Sequence, residues 1–478
     1  MRTSTLALLT LFLTGCLGSP YRTPPVSAPP QWRDIPNGVN EQPVVGGRWW
    51  SAFGDAVLDD LIHDALAGNL DLRAAAARVR EARAARGITA ARAKPQLDGA
   101  AVAFAGHPQD LYDVGFDASW ELDLFGGIRR DVEAAIAQVE AAGEARRDVE
   151  ITLVAEVARD YIELRGAQRR LDVLDARIET LRATRDIVRA RQQAGLTNDL
   201  DVARSQALLE DTTAARPSLE YAAVAAIHRL AVLTGRQAGA LRERLAVHAP
   251  IPVLSSDVPV GSPAQLIANR PDVRRAEREL AAATARIDVV RADLYPRIAL
   301  FGAFGHRSDS VSDLTDSSNR YRSFGPALRW PLLTGGRVLS QIEAQRARRD
   351  QADAAFEQTI LRALEDVEDS LSSYGRDQQE RARLGDAVAA ERLAVDLADA
   401  RYRAGLDSFL AVLDAQRTLR DGEDRLVAAE ARVALSAIAL FKSVASPATS
   451  SIPRASFPSS SGSASAPLQS HCCPATAQ

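Results

Sequence analysis

The sequence predicts a mainly α protein with a transmembrane β part. Long coiled-coil helices are joined to short strands in two internal repeats. Three observations carry this reading. Gly127 to Ala194 contains no proline. Tyr112 to Asp123 alternates apolar and polar side chains without a break. The same order of segments, with many of the same residues, occurs twice along the chain.

Composition sets the frame. The chain has 478 residues, 46% of them hydrophobic and 25% charged, with a formal net charge of -4. That apolar content is too high for disorder, and the balanced charge gives no nucleic-acid footprint. Lys94 and Lys442 are the only lysines, so there is no polybasic patch. No segment of the mature chain is an apolar run of ~18 residues, so no spanning helix is expected. Three cysteines give no disulfide framework.

The elements follow in chain order. Residues 1–15 read as a signal peptide, with Arg2 ahead of the apolar run Leu6–Leu13. Leu13-Thr14-Gly15-Cys16 resembles a bacterial lipobox. That resemblance implies cleavage before Cys16 and lipid, such as palmitate, on its thiol and new amino terminus. Leu17 in place of an aspartate implies the outer membrane. Residues 16–57 form a lipid-anchored N-terminal segment. The first repeat spans 58–249, residues 250–262 form a linker rich in Pro, Ser and Val, and the second repeat spans 263–445. Residues 446–478, with Cys472 and Cys473, read as a disordered Ser/Pro/Ala tail.

Within the repeats, Asp71, Arg73 and Pro95 recur 201 residues on as Asp272, Arg274 and Pro296. Ala194-Gly195-Leu196 and Gln206 recur 210 residues on as Ala404-Gly405-Leu406 and Gln416. Each copy opens with a helix, expected over Leu58–Arg92 and Pro263–Leu294, closed by Pro95 or Pro296. A β-hairpin follows, 96–123 in the first copy and 297–332 in the second. Its strands are expected over Gln96–Gly106, Asp110–Asp123, Arg297–Gly305 and Arg322–Leu332. A long helix then runs to Ala194 or Ala404. It turns at Gly195-Leu196 or Gly405-Leu406 and returns as another helix, to about Leu233 or Phe441. Val157, Leu164, Leu171 and Ile178 keep a seven-residue repeat, as do Leu174, Leu181 and Val188, which marks a coiled coil.

The strands carry the membrane argument. Tyr112, Val114, Phe116, Ala118, Trp120 and Leu122 share one face, and Asp113, Asp117 and Glu121 share the other. One apolar and one polar face over ~10 residues is how a membrane β-barrel reads. Four strands cannot close a barrel, and an open edge in lipid leaves backbone groups unpaired. The alternative is a half-buried strand of a soluble sheet; if the strands are in a membrane, several chains must share one barrel, and Asp113, Asp117 and Glu121 would line a water-filled lumen.

Enzyme chemistry finds no support. The six histidines show no metal-ligand spacing, and Gly126-Gly127 and Gly335-Gly336 lack a phosphate-loop lysine. No cofactor is expected beyond covalent lipid on Cys16.

From Cys16 to about Ser443 the chain resembles the TolC-like outer membrane factors, in their NodT/OprM-like lipoprotein branch. Trp49-Trp50-Ser51-Ala52-Phe53-Gly54-Asp55, Asn69-Leu70-Asp71-Leu72-Arg73, Trp120-Glu121-Leu122-Asp123-Leu124-Phe125-Gly126, Arg270-Pro271-Asp272-Val273-Arg274 and Leu413-Asp414-Ala415-Gln416 carry the resemblance. It implies a homotrimer, with a twelve-stranded barrel continuous with an α-helical barrel across the periplasm. It also implies an exit duct for small toxic compounds, working with a periplasmic adaptor and an inner-membrane pump of RND type. Leu410, Asp414 and Arg417 match the family's gate positions, and Asp201 matches an acidic position on the first hairpin. Two other readings stay open. One is an export channel for protein or polysaccharide, and the other is a pore-less, lipid-anchored periplasmic scaffold.

Overall fold

A computed structural model describes residues 21–42, 47–106 and 109–444. The signal peptide, Cys16 and the C-terminal tail lie outside the described residues. The elements run β1 (Val39–Asn40), α1 (Ala56–Gly68), α2 (Leu70–Ala91), β2 (Gln96–Phe104), β3 (Leu111–Leu122) and α3 (Gly127–Gln193). Then come α4 (Asp199–Thr213), α5 (Arg216–Leu233), β4 (Val258–Pro259), α6 (Pro263–Asn269) and α7 (Pro271–Arg291). β5 (Arg297–Ser308), β6 (Arg320–Arg329), α8 (Arg337–Arg403) and α9 (Phe409–Val444) complete the chain.

Two expected helices are broken at matching places. Leu58–Arg92 is not one helix, because Asn69 adopts an extended backbone between α1 and α2. Its side chain makes the break stable. Oδ1 accepts from the Leu72 amide at 2.9 Å and Nδ2 donates to the Leu233 carbonyl at 3.0 Å, so Asn69 caps α2 and ties it to the end of α5. Pro263–Leu294 breaks at Arg270, which is also extended. Here Pro271 is the cause, since its ring excludes the helical conformation from the residue before it. A third break falls at Ala214 and Ala215, between α4 and α5, where one return helix to Leu233 was expected. Pro217 has no N–H to continue the ladder. The second copy has Val427 there, and α9 runs unbroken for 36 residues.

α3 and α8 are each single helices of 67 residues, on the order of 100 Å long. Both heptad tracks of α3 are buried, from Val157 and Leu164 at 0% exposure to Val188 at 1%. Toward the middle of the rod the core is widest. There Trp50, Phe53, Leu58, Leu61 and Tyr161 pack with Leu371, Ala437 and Phe441. Trp49 stacks on Phe441 with ring centroids 5.1 Å apart, and the Tyr161 hydroxyl donates to Asp55 at 2.7 Å. The N-terminal segment meets the mid-chain linker here. β1 pairs in parallel with β4, and the Trp32 indole donates to the Gly261 carbonyl at 2.9 Å.

Arg270 ties the junction of α6 and α7 to the middle of α8 and the end of α9 in this layer. It binds Asp272 through two nitrogens, at 3.0 and 2.7 Å, and Asp366 at 2.9 Å. It also donates to the carbonyls of Ala363 and Ser443. Burial alone would raise the Asp272 carboxyl, but the hydrogen bonds and charge of Arg270 outweigh it and hold the group below the usual carboxylate range.

β2, β3, β5 and β6 form one antiparallel sheet in the order β2-β3-β5-β6. β5 runs on past Gly305 to Ser308, and β6 covers Arg320–Arg329 in place of Arg322–Leu332. Trp330 therefore lies beyond its strand. Its indole donates to the Leu294 carbonyl at 3.2 Å, and the Trp120 indole donates to the Ala93 carbonyl at 3.0 Å. Each tryptophan thus ties the foot of the sheet to the turn that closes the preceding helix.

Replacing Arg270 with alanine leaves Asp272 and two carbonyls without their partner. The expected cost is about 3 kcal/mol, read by chemical denaturation of the detergent-solubilised protein. The native Asp272 carboxyl binds its proton less readily than the unfolded one. Its stabilising contribution is therefore full above the unfolded carboxylate range and is lost as pH falls through the lower native value. Asp272→Asn should flatten that acid limb.

Candidate functional site

Two places on the rod gather exposed polar side chains: the hairpin tips and one face of the sheet. Each tip is closed by the same backbone motif. Gly195 and Gly405 adopt φ of 71° and 73°. The Leu196 and Leu406 amides reach back to the carbonyls of Arg191 and Arg401, at 2.8 and 3.0 Å. This is a Schellman cap, in which glycine takes the left-handed position that a Cβ would disfavour. Leu196 and Leu406 are left 67% and 68% exposed, as apolar ends of otherwise polar tips.

The two hairpins lean on one another. Val188 of the first packs with Tyr402, Phe409 and Val412 of the second. The Arg191 guanidinium lies 4.7 Å from the Tyr402 ring centroid. With Phe409, Val412, Gln416 and Leu419 buried, the opposite side of α9 faces outward from the packing. Leu410, Asp414 and Arg417 all lie on that exposed side, one helical turn apart. Among the described residues neither Asp414 nor Arg417 has an ion-pair partner in its own chain.

Asp201 is placed differently. It lies in the first turn of α4, where its carboxylate accepts from the Thr197 hydroxyl at 2.5 Å, and its amide is capped by Asn198. Asp407 pairs with Arg401 at 2.5 Å across the second turn. The sequence reading missed this pair, although the same six-residue spacing across the glycine turn is visible in the chain.

In the sheet, register puts Asp113, Asp117 and Glu121 on one face, opposite Arg307, Ala303 and Ala299. Asp113 is not free. Arg307 donates to its Oδ2 from two nitrogens, at 2.9 and 2.6 Å, and the Tyr321 hydroxyl donates to Oδ1 at 3.1 Å. Tyr321 crosses β5 at Gly305, where an added Cβ would sit 2.6 Å from the Val114 carbonyl oxygen. Glu121 has Arg297 at 4.0 Å. The acidic face is therefore partly neutralised. Arg307 escaped the sequence reading because the strand was ended at Gly305. The alternating pattern carries one step further and would have found it.

The other face of the sheet is apolar. Val114, Phe116, Phe304, Phe324 and Leu328 are 47–83% exposed there. Among the described residues no helix is long and apolar enough to cross a membrane.

The sequence profile described as outer membrane efflux protein matches residues 61–236 and 262–446. The chain belongs to the outer membrane efflux protein family. It is 31% identical over 439 residues to nodulation protein T of Rhizobium leguminosarum bv. viciae, covering 88% of this chain and 89% of that protein. It is also 31% identical over 436 residues to the toluene efflux pump outer membrane protein of Pseudomonas putida, covering 87% and 92%. Among solved structures, the outer-membrane channel OprN superposes with a TM-score of 0.83 at 34% identity, covering 90% of this chain and 98% of that one.

As an outer membrane efflux protein, the chain resides in the outer membrane and reaches into the periplasm. It is an exit duct, not an enzyme. Its helices and sheet are those of the TolC-like channels it matches, which are helical barrels with a β-barrel part. Family membership decides between channel and pore-less scaffold in favour of the channel.

Asp113→Asn should release the Arg307 charge without emptying the site. The expected result is a shift of the open channel toward anion permeation, read as reversal potential under a salt gradient. The stability change should be small, because the Arg307 side chain stays largely in contact with water.

Proposed function

We propose that three copies of this chain assemble into a closed duct, anchored by lipid on Cys16 and gated at the periplasmic tips by Leu410 and Asp414. The observation that carries the assembly is the four-stranded sheet, with one edge of β2 and one of β6 unpaired. Lipid offers those edges no hydrogen bonds, so the strands of other chains must. Three sheets make a twelve-stranded barrel, inside the range that outer-membrane barrels occupy.

The gate reading rests on the exposed, unpaired line Leu410, Asp414 and Arg417. Symmetry repeats each residue into a ring. A leucine ring blocks by size and by excluding water, and an aspartate ring holds counter-ions or accepts from a neighbouring chain's arginine. Arg417 is the basic partner in this scheme, and Asp201 supports the first hairpin through Thr197. The exposed Leu196 and Leu406 at the tips suit docking of a periplasmic adaptor, which would link the duct to an inner-membrane pump of RND type. The cargo class is small toxic compounds. A relative named for toluene efflux, with 92% of its length matched, supports that class. The lumen face, with Asp113 neutralised and Asp117 in no ion pair among the described residues, is generic enough to leave selection to the pump.

Two measurements test this. Leu410→Ala combined with Asp414→Ala should raise single-channel conductance in planar bilayers and make cells more sensitive to large antibiotics. Unchanged conductance in a trimer of correct mass would rule out the gate. Cys16→Ala should abolish the acyl mass on the mature N-terminal peptide, whereas an unchanged peptide mass would rule out the anchor.

A further inference from the structure

The lipid-facing side of the sheet carries one group of residues that a lipid-facing side should not. Register places His306 opposite Arg320 and Phe304 opposite Arg322, on the same face as Val114, Phe116, Phe324 and Leu328. Both arginines are exposed, and among the described residues neither has an ion-pair partner. The His306 Nδ1 atom is buried without a partner. Every carboxylate in the four strands, Asp98, Asp113, Asp117 and Glu121, lies on the opposite face. Asp309, Asp313 and Asp316 lie in the loop between β5 and β6 and form no ion pair with either arginine.

The strands that barrel closure brings together supply no counter-ion either, and Asp110 in the loop between β2 and β3 accepts from the Gly106 amide of its own loop. In the shared barrel proposed above, β6 meets β2 of the next chain. The side chains of β2 on this face are Leu97, Gly99, Ala101 and Ala103, none of them ionisable. An arginine on the lipid face is costly at the bilayer midplane and nearly free of cost near the interface. Depth decides which applies. From Ile298 to His306 the strand climbs on the order of 20 Å after tilt, close to the full apolar band. The helices leave the sheet at its Ile298 end, so the cluster sits at the outer, cell-exterior rim, at the level of lipid headgroups.

We infer that Arg320, Arg322 and His306 form a docking site for the phosphates of a phosphorylated glycolipid in the outer leaflet. A guanidinium binds phosphate through paired, charge-assisted hydrogen bonds. Two arginines two residues apart on one strand present a pair of such forks side by side. Phe324 and Leu328 below them offer the acyl chains a continuous apolar wall. Each chain carries one cluster, so the sites would recur around the barrel and fix its vertical position in the bilayer.

Native mass spectrometry of the full-length protein with lipid A, in detergent, tests the site. The wild type should retain phosphorylated lipid A about tenfold better than the double variant Arg320→Gln with Arg322→Gln. Arg320→Lys with Arg322→Lys should retain an intermediate amount, because charge survives without the fork. Dephosphorylated lipid A should bind the wild type no better than it binds the glutamine variant. Equal retention of phosphorylated lipid A by wild type and glutamine variant would overturn the site, as would equal retention of the two lipids by the wild type. The site rests on the shared barrel, and the same spectra report oligomer mass. A trimer that does not discriminate between the lipids overturns the site alone. A monomer that still discriminates supports the site and overturns the trimer.

Discussion

The constraint on which this structure depends is the unpaired strand edge. Water can satisfy an exposed N–H or C=O, and hydrocarbon cannot. A chain that sends only four strands into a bilayer has two edges to cover. In the shared barrel proposed above, strands of other chains cover those edges, and the helices leaving the sheet stand in a ring. α3 can then be 67 residues long and rich in alanine and arginine without being a globular domain. Its seam is buried along the rod, and its width is supplied by the elements beside it.

The two halves of the chain meet this constraint with the same plan and different local chemistry. Asn69 and Arg270 break their helices at matching points, one by side-chain capping and one because proline follows. Asp123 caps the start of α3 with both oxygens, at 3.0 and 2.8 Å, while α8 starts with no side-chain cap. Pro217 splits the first return helix and Val427 leaves the second whole. The copies are free to diverge because each local solution needs only to deliver the same helix direction to the shared wall.

Much of this was legible in the chain. Heptads, strand alternation and the glycine turns are periodic signals, and periodicity survives translation into structure because burial enforces it. The Val157 and Leu174 tracks and the Asp113–Glu121 face are such cases. What was not legible depended on single contacts. The break at Asn69 needs a carbonyl 164 residues away, and the Arg270 node ties the junction of α6 and α7 to the middle of α8 and the end of α9. Arg307 lay one step past a strand end drawn at a glycine. The exposed line from Leu410 to Arg417 was visible as a helical face. The side on which α9 packs became clear only once Phe409 and Val412 were seen against Tyr402 and Val188.

The indole ties of Trp120 and Trp330 have a mechanical side. They clamp the rod where it meets the sheet, and the long helices extend from that clamp like cantilevers. For a lever of about 100 Å, a swing of roughly 5° at the fixed end displaces the free end by about 9 Å. That approaches the diameter of a helix with its side chains, about 10 Å. A stiff, membrane-held hub and a far-off, easily displaced rim thus follow from the same beam. In the duct proposed above, a modest torque applied near the layer of Trp50 and Phe441 would be amplified into a wide movement of the tips while the sheet stays in place.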